Sequence, residues 1–218
     1  MARYAIDLAP LRKSKDFSLL WAAGLISYFG SMITYVAVPF QIKELTGSYV
    51  AVAISGLVEI LPLIIFGLYG GVLADALDRK KLIWVTELLS LLFTAILLIN
   101  SMMDSPSLLL IYIVSGLFAA TSGLRQPAMQ AALPRLVDHE DMTAAAALMS
   151  LRWQIGVIVG PAIGGILISS YSVAVGYAAD IATFIVSIAL IAFMKNIPPS
   201  HEAEAPSLSA LIEGVKYA

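Results

Sequence analysis

No charged side chain interrupts residues 17–42, which read FSLLWAAGLISYFGSMITYVAVPFQI. A helix that crosses a membrane needs about 20 apolar residues, because the hydrocarbon core is about 30 Å thick and each helical residue rises about 1.5 Å. This stretch is long enough to cross once. It therefore predicts a transmembrane helix close to the start of the chain.

Four further stretches are equally poor in charge. Residues 45–74 contain only Glu59, residues 82–103 contain only Glu87, and residues 105–124 contain no charge. The run 153–194 contains only Asp180 but is too long for one crossing, so the polar residues 169–172 predict a turn that divides it in two. The fold class is thus predicted to be an all-α membrane protein, residues 17–195, with six spans at 17–42, 50–74, 82–103, 107–129, 144–169 and 173–195.

The composition agrees with a membrane protein and excludes several other classes. Of the 218 residues, 60% are hydrophobic and 13% are charged, whereas a soluble domain carries about 25% charged residues. The net charge of −2 comes without a long basic run, so nucleic-acid binding is not predicted. The chain has no cysteine, which excludes disulfides, thiolate metal sites and cysteine nucleophiles within it.

The basic residues predict the orientation, because Lys and Arg are retained on the cytoplasmic side of short loops. The segments assigned to the outside hold only Lys43, and residues 1–16 and 196–218 then both lie in the cytoplasm. The second of these segments is predicted to be a linker followed, from Ser207, by an amphipathic helix that looks truncated at Ala218. The basic residues assigned to the cytoplasm are Arg3, Arg12, Lys13, Lys15, Arg79, Lys80, Lys81, Arg135, Lys195 and Lys216.

Corresponding features recur in the two halves of the predicted bundle. Spans two and five carry similar glycine clusters, at residues 67–71 and 160–165, and spans one and four place Pro39 and Pro127 beside glutamines. The glycine clusters lie on opposite sides of the membrane. This predicts two three-helix repeats of inverted topology, although Gly and Pro are also simply frequent in membrane helices.

The loop between spans two and three, residues 71–81, reads GVLADALDRKK. It resembles motif A of the major facilitator superfamily, in which a Gly, Leu, Ala, Asp pattern precedes basic residues. The family has a basic residue where Ala76 stands and a glycine where Asp78 stands, and an acid at the second position is typical of a branch of drug and siderophore exporters. A plain positive-inside loop explains the basic residues but not the spacing of Gly and Asp. The resemblance implies a conformational latch made of Gly71, Asp75, Asp78, Arg79, Lys80 and Arg125.

Span five contains a second motif, residues 156–165, GVIVGPAIGG. It resembles motif C of antiporter branches of the same superfamily. Glycines every four residues permit a close helix crossing, and Pro161 removes one backbone hydrogen bond. The resemblance implies that this strip packs against the opposite half of a twelve-helix protein and closes its outer side; a generic packing face is the alternative. The strip consists of Gly156, Gly160, Pro161, Gly164 and Gly165.

Charges inside a membrane are costly, so they are candidates for function. Glu59 lies about 13 Å along span two from Val50 and is predicted to be a protonatable or cation-sensing carboxylate. Arg152 lies well inside span five and is predicted to pair with Glu59 or with an anionic substrate. Both residues are candidates for coupling transport to protons. Arg125 either snorkels to the interface or pairs with Asp75. Spans three and six are peripheral in the family, so a structural pair or interfacial contact is favoured for Glu87 and Asp180. Predicted cavity-wall residues are Tyr28, Tyr35, Trp153 and Gln154.

These features predict a secondary transporter and no enzyme. The chain lacks a phosphate-binding glycine loop with lysine, and neither a cofactor nor a metal is predicted. The favoured function is proton-coupled efflux of amphipathic organic compounds across the cell membrane; an uptake symporter and a non-transporting scaffold or receptor are the alternatives. Its predicted partners are the lipid bilayer, a small organic substrate, protons and either a C-terminal half or a second copy.

Overall fold

The computed structural model describes residues 7–199, which form a bundle of long helices. Six of them are long and apolar enough to cross a membrane, which confirms the six spans. No strand occurs between residues 7 and 199, and the helix predicted from Ser207 lies outside the described residues. The helices are α1 (Ala9–Lys13), α2 (Lys15–Thr46), α3 (Tyr49–Ala76), α4 (Arg79–Ser101), α5 (Leu108–Leu136), α6 (Met142–Ser170) and α7 (Val173–Ala192), with a 3₁₀ turn at His139–Asp141; α2 to α7 are spans one to six.

Side-chain caps explain where most of the spans begin. In five helices, a backbone N–H group of the first turn donates to the side chain that precedes the helix. The acceptors are Ser14 for α2, Ser48 for α3, Asp78 for α4, Ser107 for α5 and Ser172 for α7. These bonds satisfy donors that have no partner within the helix. Helices α2 and α4 therefore begin earlier than the charge-free runs predicted.

Helix ends differ from the predicted bounds for an equally local reason. Helix α2 continues to Thr46 and ends at Gly47, whose φ of +65° is a left-handed conformation that glycine adopts without strain. Helix α5 continues through Pro127 and Pro134 to Leu136, seven residues past the predicted end at 129. Helices α2 and α5 are thus longer at their C-terminal ends than hydrophobicity alone indicates, whereas α4 and α7 end at Ser101 and Ala192, before the predicted ends at 103 and 195.

The principal packing pairs are α3 with α5, α2 with α6, α2 with α7, α4 with α5, and α4 with α7. If spans one, two and three are exchanged with spans four, five and six in the same order, the α3–α5 pair becomes the α2–α6 pair, and the α2–α7 pair becomes the α4–α5 pair. The α4–α7 pair is unchanged by this exchange. This is the arrangement that the two-repeat prediction requires, and the repeat remains a prediction. Helix α3 buries only Ser55, Gly70 and Ala74 and exposes a long apolar face.

Polar contacts tie α1 and α2 to the start of α6. Lys13 Nζ lies 2.9 Å from Asp141 Oδ2, which joins α1 to the start of α6, and the hydrogen bond and charge of Asp141 raise the pKa of Lys13. The Trp21 indole donates to the carbonyl of Leu148 at 2.8 Å. The N-terminal residues are therefore docked on the fifth span.

Candidate substrate cleft and cytoplasmic latch

A cleft of about 550 Å³ opens on the side of the bundle where α3 and α6 are exposed. Tyr35 and Trp153 are 64% and 55% exposed, so their rings face this cleft and are not packed in the core. The predicted residues Tyr28, Tyr35, Glu59 and Trp153 all line it, together with Ser31, Phe118 and Arg125. Gln154 does not; it lines a neighbouring cleft with Arg152, Gln126 and Gln130.

Glu59 is the carboxylate of the main cleft. It is half-buried on α3, and within residues 7–199 no Lys or Arg lies within ion-pair distance of it. The predicted pair with Arg152 is therefore absent from this conformation. Glu59 is left beside an apolar and aromatic wall, where its charge has no fixed partner.

The Arg152 side chain contacts α5 and α2 instead. Its Nη1 is 3.8 Å from the sulfur of Met129, and a Cβ on Gly24 would collide with its guanidinium. The small residue at position 24 thus provides the space in which the arginine head lies. Arg152 and Glu59 line different clefts, which is why the expected ion pair does not form.

The buried ion pair of the bundle joins Arg125 to Glu87. Arg125 Nη1 lies 2.6 Å from Glu87 Oε1, and the Ser27 hydroxyl donates to the same oxygen at 3.0 Å. Arg125 is 8% and Glu87 1% exposed. The guanidinium therefore neither snorkels nor pairs with Asp75 here, because a buried carboxylate on α4 is within its reach and Asp75 lies on the exposed surface.

Asp180 is fully buried and does not pair with Glu87 or with a membrane interface. It accepts hydrogen bonds from Thr34 on α2 and Thr94 on α4, and Thr183 lies beside it on α7. Sequence analysis did not identify these threonines as its partners. Only Thr183, which lies three residues after Asp180 on the same helix, was close enough in the sequence to indicate a contact.

The motif A loop contacts the segment that follows the last span. The Arg79 N–H donates to the carbonyl of Ile197 at 3.0 Å and its guanidinium to that of Pro198 at 2.8 Å. Lys80 Nζ reaches the carbonyl of Met194 at 2.5 Å, and Asp78 Oδ1 accepts from the Ile197 N–H at 3.3 Å. These contacts join the start of α4 to residues 194–198, an arrangement that was not predicted.

Asp75 takes little part in this network. Its side chain is 74% exposed and lies 3.9 Å from Arg79. Gly71, the motif glycine, has no atom of the described chain within 4 Å of the position where a Cβ would lie, whereas its neighbour Gly70 faces the backbone of Leu124 at 2.9 Å. Of these two adjacent glycines, Gly70 therefore makes the close helix approach.

Replacing Arg79 with alanine is expected to release residues 194–198 from α4. A hydrogen bond from a charged donor contributes about 1.5–3 kcal/mol, so a thiol reagent should label an Ile197→Cys variant about tenfold faster in the Arg79→Ala background. Ile197 is 4% exposed, and the absence of cysteine from the 218 residues keeps the labelling background of this chain low. Lys81→Ala is the control, because the contacts to this segment come from residues 78–80. Equal labelling rates in both backgrounds would contradict the docked segment.

The motif C strip packs inside the bundle. Gly156 approaches the ring of Tyr28, with Cε1 2.8 Å from the position of a Cβ, Gly160 faces the carbonyl of Phe29 at 2.9 Å, and Gly164 faces Cα of Ile33 at 3.1 Å. These three glycines therefore pack on α2 of their own bundle, and the packing against an opposite half that the resemblance implies remains a prediction. Gly165 points into open space.

Comparison with known proteins agrees with this architecture. A family model described as transmembrane secretion effector matches residues 5–218. The enterobactin exporter EntS of Shigella boydii is 32% identical over 218 residues, which are 98% of this chain and 51% of the relative; EntS of Escherichia coli gives the same values. The chain spans about half the length of these curated relatives.

Solved structures show the same fold at low sequence identity. The peptide transporter POT in complex with sulfate matches with a TM-score of 0.68 and 11% identity, over 94% of this chain and 44% of the transporter. Its complex with alafosfalin gives 0.67 and 13%, over 94% and 45%. The chain therefore belongs to the transmembrane secretion effector family of the major facilitator superfamily, and its six spans correspond to the N-terminal half of that transporter fold.

Proposed function

We propose that this chain is the N-terminal half of a proton-coupled exporter, which moves amphipathic organic molecules such as drugs or siderophores out of the cell. One observation carries the proposal: an unpaired carboxylate, Glu59, lies within a membrane span in a cleft walled by Tyr28, Tyr35 and Trp153. The family description and the exporter relatives support outward transport of a small molecule.

The chemistry of the cleft fits an amphipathic solute. Aromatic side chains offer a large apolar surface together with polar groups at the ring edge. Glu59 has no cationic partner among residues 7–199, so within that part of the chain it is free to take up a proton or to attract a cationic group of the substrate. Binding of one would oppose binding of the other, since both act on the same carboxylate. Such competition is the basis of exchange between proton and substrate.

Alternating access would use the half as one rigid body. The exposed apolar faces of α3 and α6 are the surfaces on which a C-terminal half or a second copy would pack, and the bundle would rock against that partner around the cleft. The loop 71–81 would act as the cytoplasmic latch. The glycine strip packs on α2 of its own bundle.

In this proposal the protein crosses the cytoplasmic membrane with both ends of the 218-residue segment in the cytoplasm. The distribution of basic residues supports that orientation. Its partners are the lipid bilayer, the solute, the coupling protons and the second half or copy.

Replacing Glu59 with glutamine is expected to abolish gradient-driven efflux while the protein stays folded. Cells that express the full gene product would be loaded with a fluorescent amphipathic dye, and dye loss would be followed with and without an uncoupler. Cells with the unsubstituted protein should lose dye faster than empty-vector cells, and the uncoupler should remove the difference. Glu59→Gln should match the empty vector, because an amide neither binds nor releases a proton.

Glu44→Gln is the matched control, since Glu44 is exposed at the outer end of α2 and should leave efflux unchanged. Efflux that persists in the Glu59→Gln variant and still responds to the uncoupler would refute the assignment of Glu59. Dye loss equal to that of empty-vector cells in the unsubstituted protein would refute the proposed exporter of amphipathic molecules.

A further inference from the structure

Asp180 lies apart from the cleft, in the centre of the packing between α2, α4 and α7. Its exposure is 0%, and it does not line the cleft that holds Glu59. The efflux proposal makes no use of it. A carboxyl group in such a position raises the question of what balances its charge.

Hydroxyl groups surround this carboxyl group on all three helices. Thr34 donates to Oδ2 from α2 at 2.5 Å, and Thr94 reaches the same oxygen from α4 at 3.3 Å. Thr183 Oγ1 lies 3.3 Å from Oδ1 and 2.7 Å from the Asp180 carbonyl oxygen. A hydroxyl has a single hydrogen, so Thr183 donates either to the Asp180 carbonyl or to Oδ1, and none of the three hydroxyls brings a positive charge to the carboxyl group.

No cation balances Asp180 among the described residues. On α4 the charged group that acts on Asp180 is Glu87. It lies seven residues before Thr94 and therefore about 10 Å away along the helix. Its charge is offset by Arg125 on α5. On α7 the nearby titratable group is Tyr177, which donates to Gln41 at 2.8 Å. On α2 the facing residues are Thr34 and Gly30, which have no charge. An ion buried without a partner costs several kcal/mol.

The packing also leaves no space for a metal ion. A Cβ on Gly30 would lie 2.5 Å from Asp180 Oδ1, so the carboxyl group already rests on the α2 backbone. A proton adds no volume. Threonine hydroxyls donate to a carboxylate or accept from a carboxylic acid with equal ease, and this shell therefore accommodates both states of the group.

We propose that Asp180 is a second proton-binding site, remote from the substrate cleft, whose protonated form joins α2, α4 and α7 through Thr34, Thr94 and Thr183. Loss of that proton places an unpaired charge in the core and loosens the contact between the three helices. The folded protein then holds one more proton at this position than the unfolded chain does at neutral pH. Stability from this site is accordingly present at low pH and declines as pH rises through the ionisation of Asp180.

Infrared spectroscopy of the purified protein in lipid nanodiscs tests the protonation state directly. The difference spectrum between the unsubstituted protein and Asp180→Asn at pH 7 should contain a carboxylic-acid C=O band that belongs to Asp180. The same comparison with Glu87→Gln should show a carboxylate band, because Glu87 is ion-paired. An Asp180 difference that contains only carboxylate bands would overturn the proposal.

Thermal unfolding in detergent supplies the second measurement. Asparagine is close in shape to the protonated acid and does not ionise, so Asp180→Asn should keep, at every pH, an unfolding temperature close to that of the unsubstituted protein at low pH, without the decline as pH rises. Asp180→Ala should lower the unfolding temperature by several degrees at every pH. A decline with pH that survives in Asp180→Asn would refute this role. Both readouts are independent of dye efflux and of Glu59.

Discussion

Replacing Glu87 with alanine is expected to lower the free energy of unfolding by about 3–5 kcal/mol, because it leaves the Arg125 guanidinium buried without its carboxylate. The two groups are 2.6 Å apart, and Arg125 is 8% exposed. Ser27 would lose the acceptor of its hydroxyl as well. Unfolding temperature in detergent and the yield of monodisperse protein both measure the loss.

The double variant Glu87→Ala with Arg125→Leu separates charge from packing. It removes both ions, so it should recover much of the lost stability, since an apolar replacement of a buried pair is often neutral. Glu59→Ala is the single-site control: Glu59 makes no ion pair within residues 7–199, and its loss should change stability little. A double variant as unstable as Glu87→Ala alone would show that the ion pair is not the source of the effect.

Introducing leucine at Gly123 is expected to cost about 3 kcal/mol, the upper end of the range for overpacking. A Cβ at this position would lie 2.8 Å from Gly67 N and 2.8 Å from the Leu63 carbonyl. Both are backbone atoms of α3, so neither side-chain rotation nor a small shift relieves the clash. Helices α3 and α5 would have to separate along their crossing.

Two adjacent glycines on α3 provide the matched comparison. A Cβ on Gly70 would lie 2.9 Å from Cα of Leu124, whereas one on Gly71 meets nothing within 4 Å in the described structure. Gly70→Leu should therefore reduce the yield of folded protein strongly, and Gly71→Leu should fold normally. Equal yields for these two variants would contradict the close α3–α5 crossing.

A normally folded Gly71→Leu variant also offers a test of the latch. The resemblance to motif A implies that Gly71 is part of the latch, but no packing contact in the described structure explains why a glycine is needed there. If the residue faces the partner half during transport, the leucine variant should fold but lose dye efflux. Normal efflux from that variant would place Gly71 outside the latch.

The number of spans could be predicted because it depends on composition along the chain alone. A long run without charge must lie in lipid or in a bundle that faces lipid, whatever its neighbours are. Of the predicted cavity-wall residues, Tyr28, Tyr35 and Trp153 share a cleft with Glu59, whereas Gln154 lines the neighbouring cleft.

The sequence did not predict which charged side chains form ion pairs. Arg125 has several acids at plausible depths, and only the positions of α4 and α5 place Glu87, and not Asp75, beside it. Arg152 and Glu59 line different clefts. Arg152 contacts Met129 of α5, whereas Val58, the neighbour of Glu59, packs on Gly116, about 20 Å away along the same helix. Depth follows from counting residues at a constant rise, whereas direction around the helix axis depends on packing.

The amino-acid sequence by itself determined that the chain has six helices long and apolar enough to cross a membrane, because hydrophobicity is a property of each segment. The tertiary structure decided the partners of Glu87, Arg125 and Asp180, the packing of the glycine strip on α2 and the docking of residues 194–198 on α4. Those contacts join residues that are far apart in the chain. They therefore depend on which helices pack together and on how closely the backbones of those helices approach.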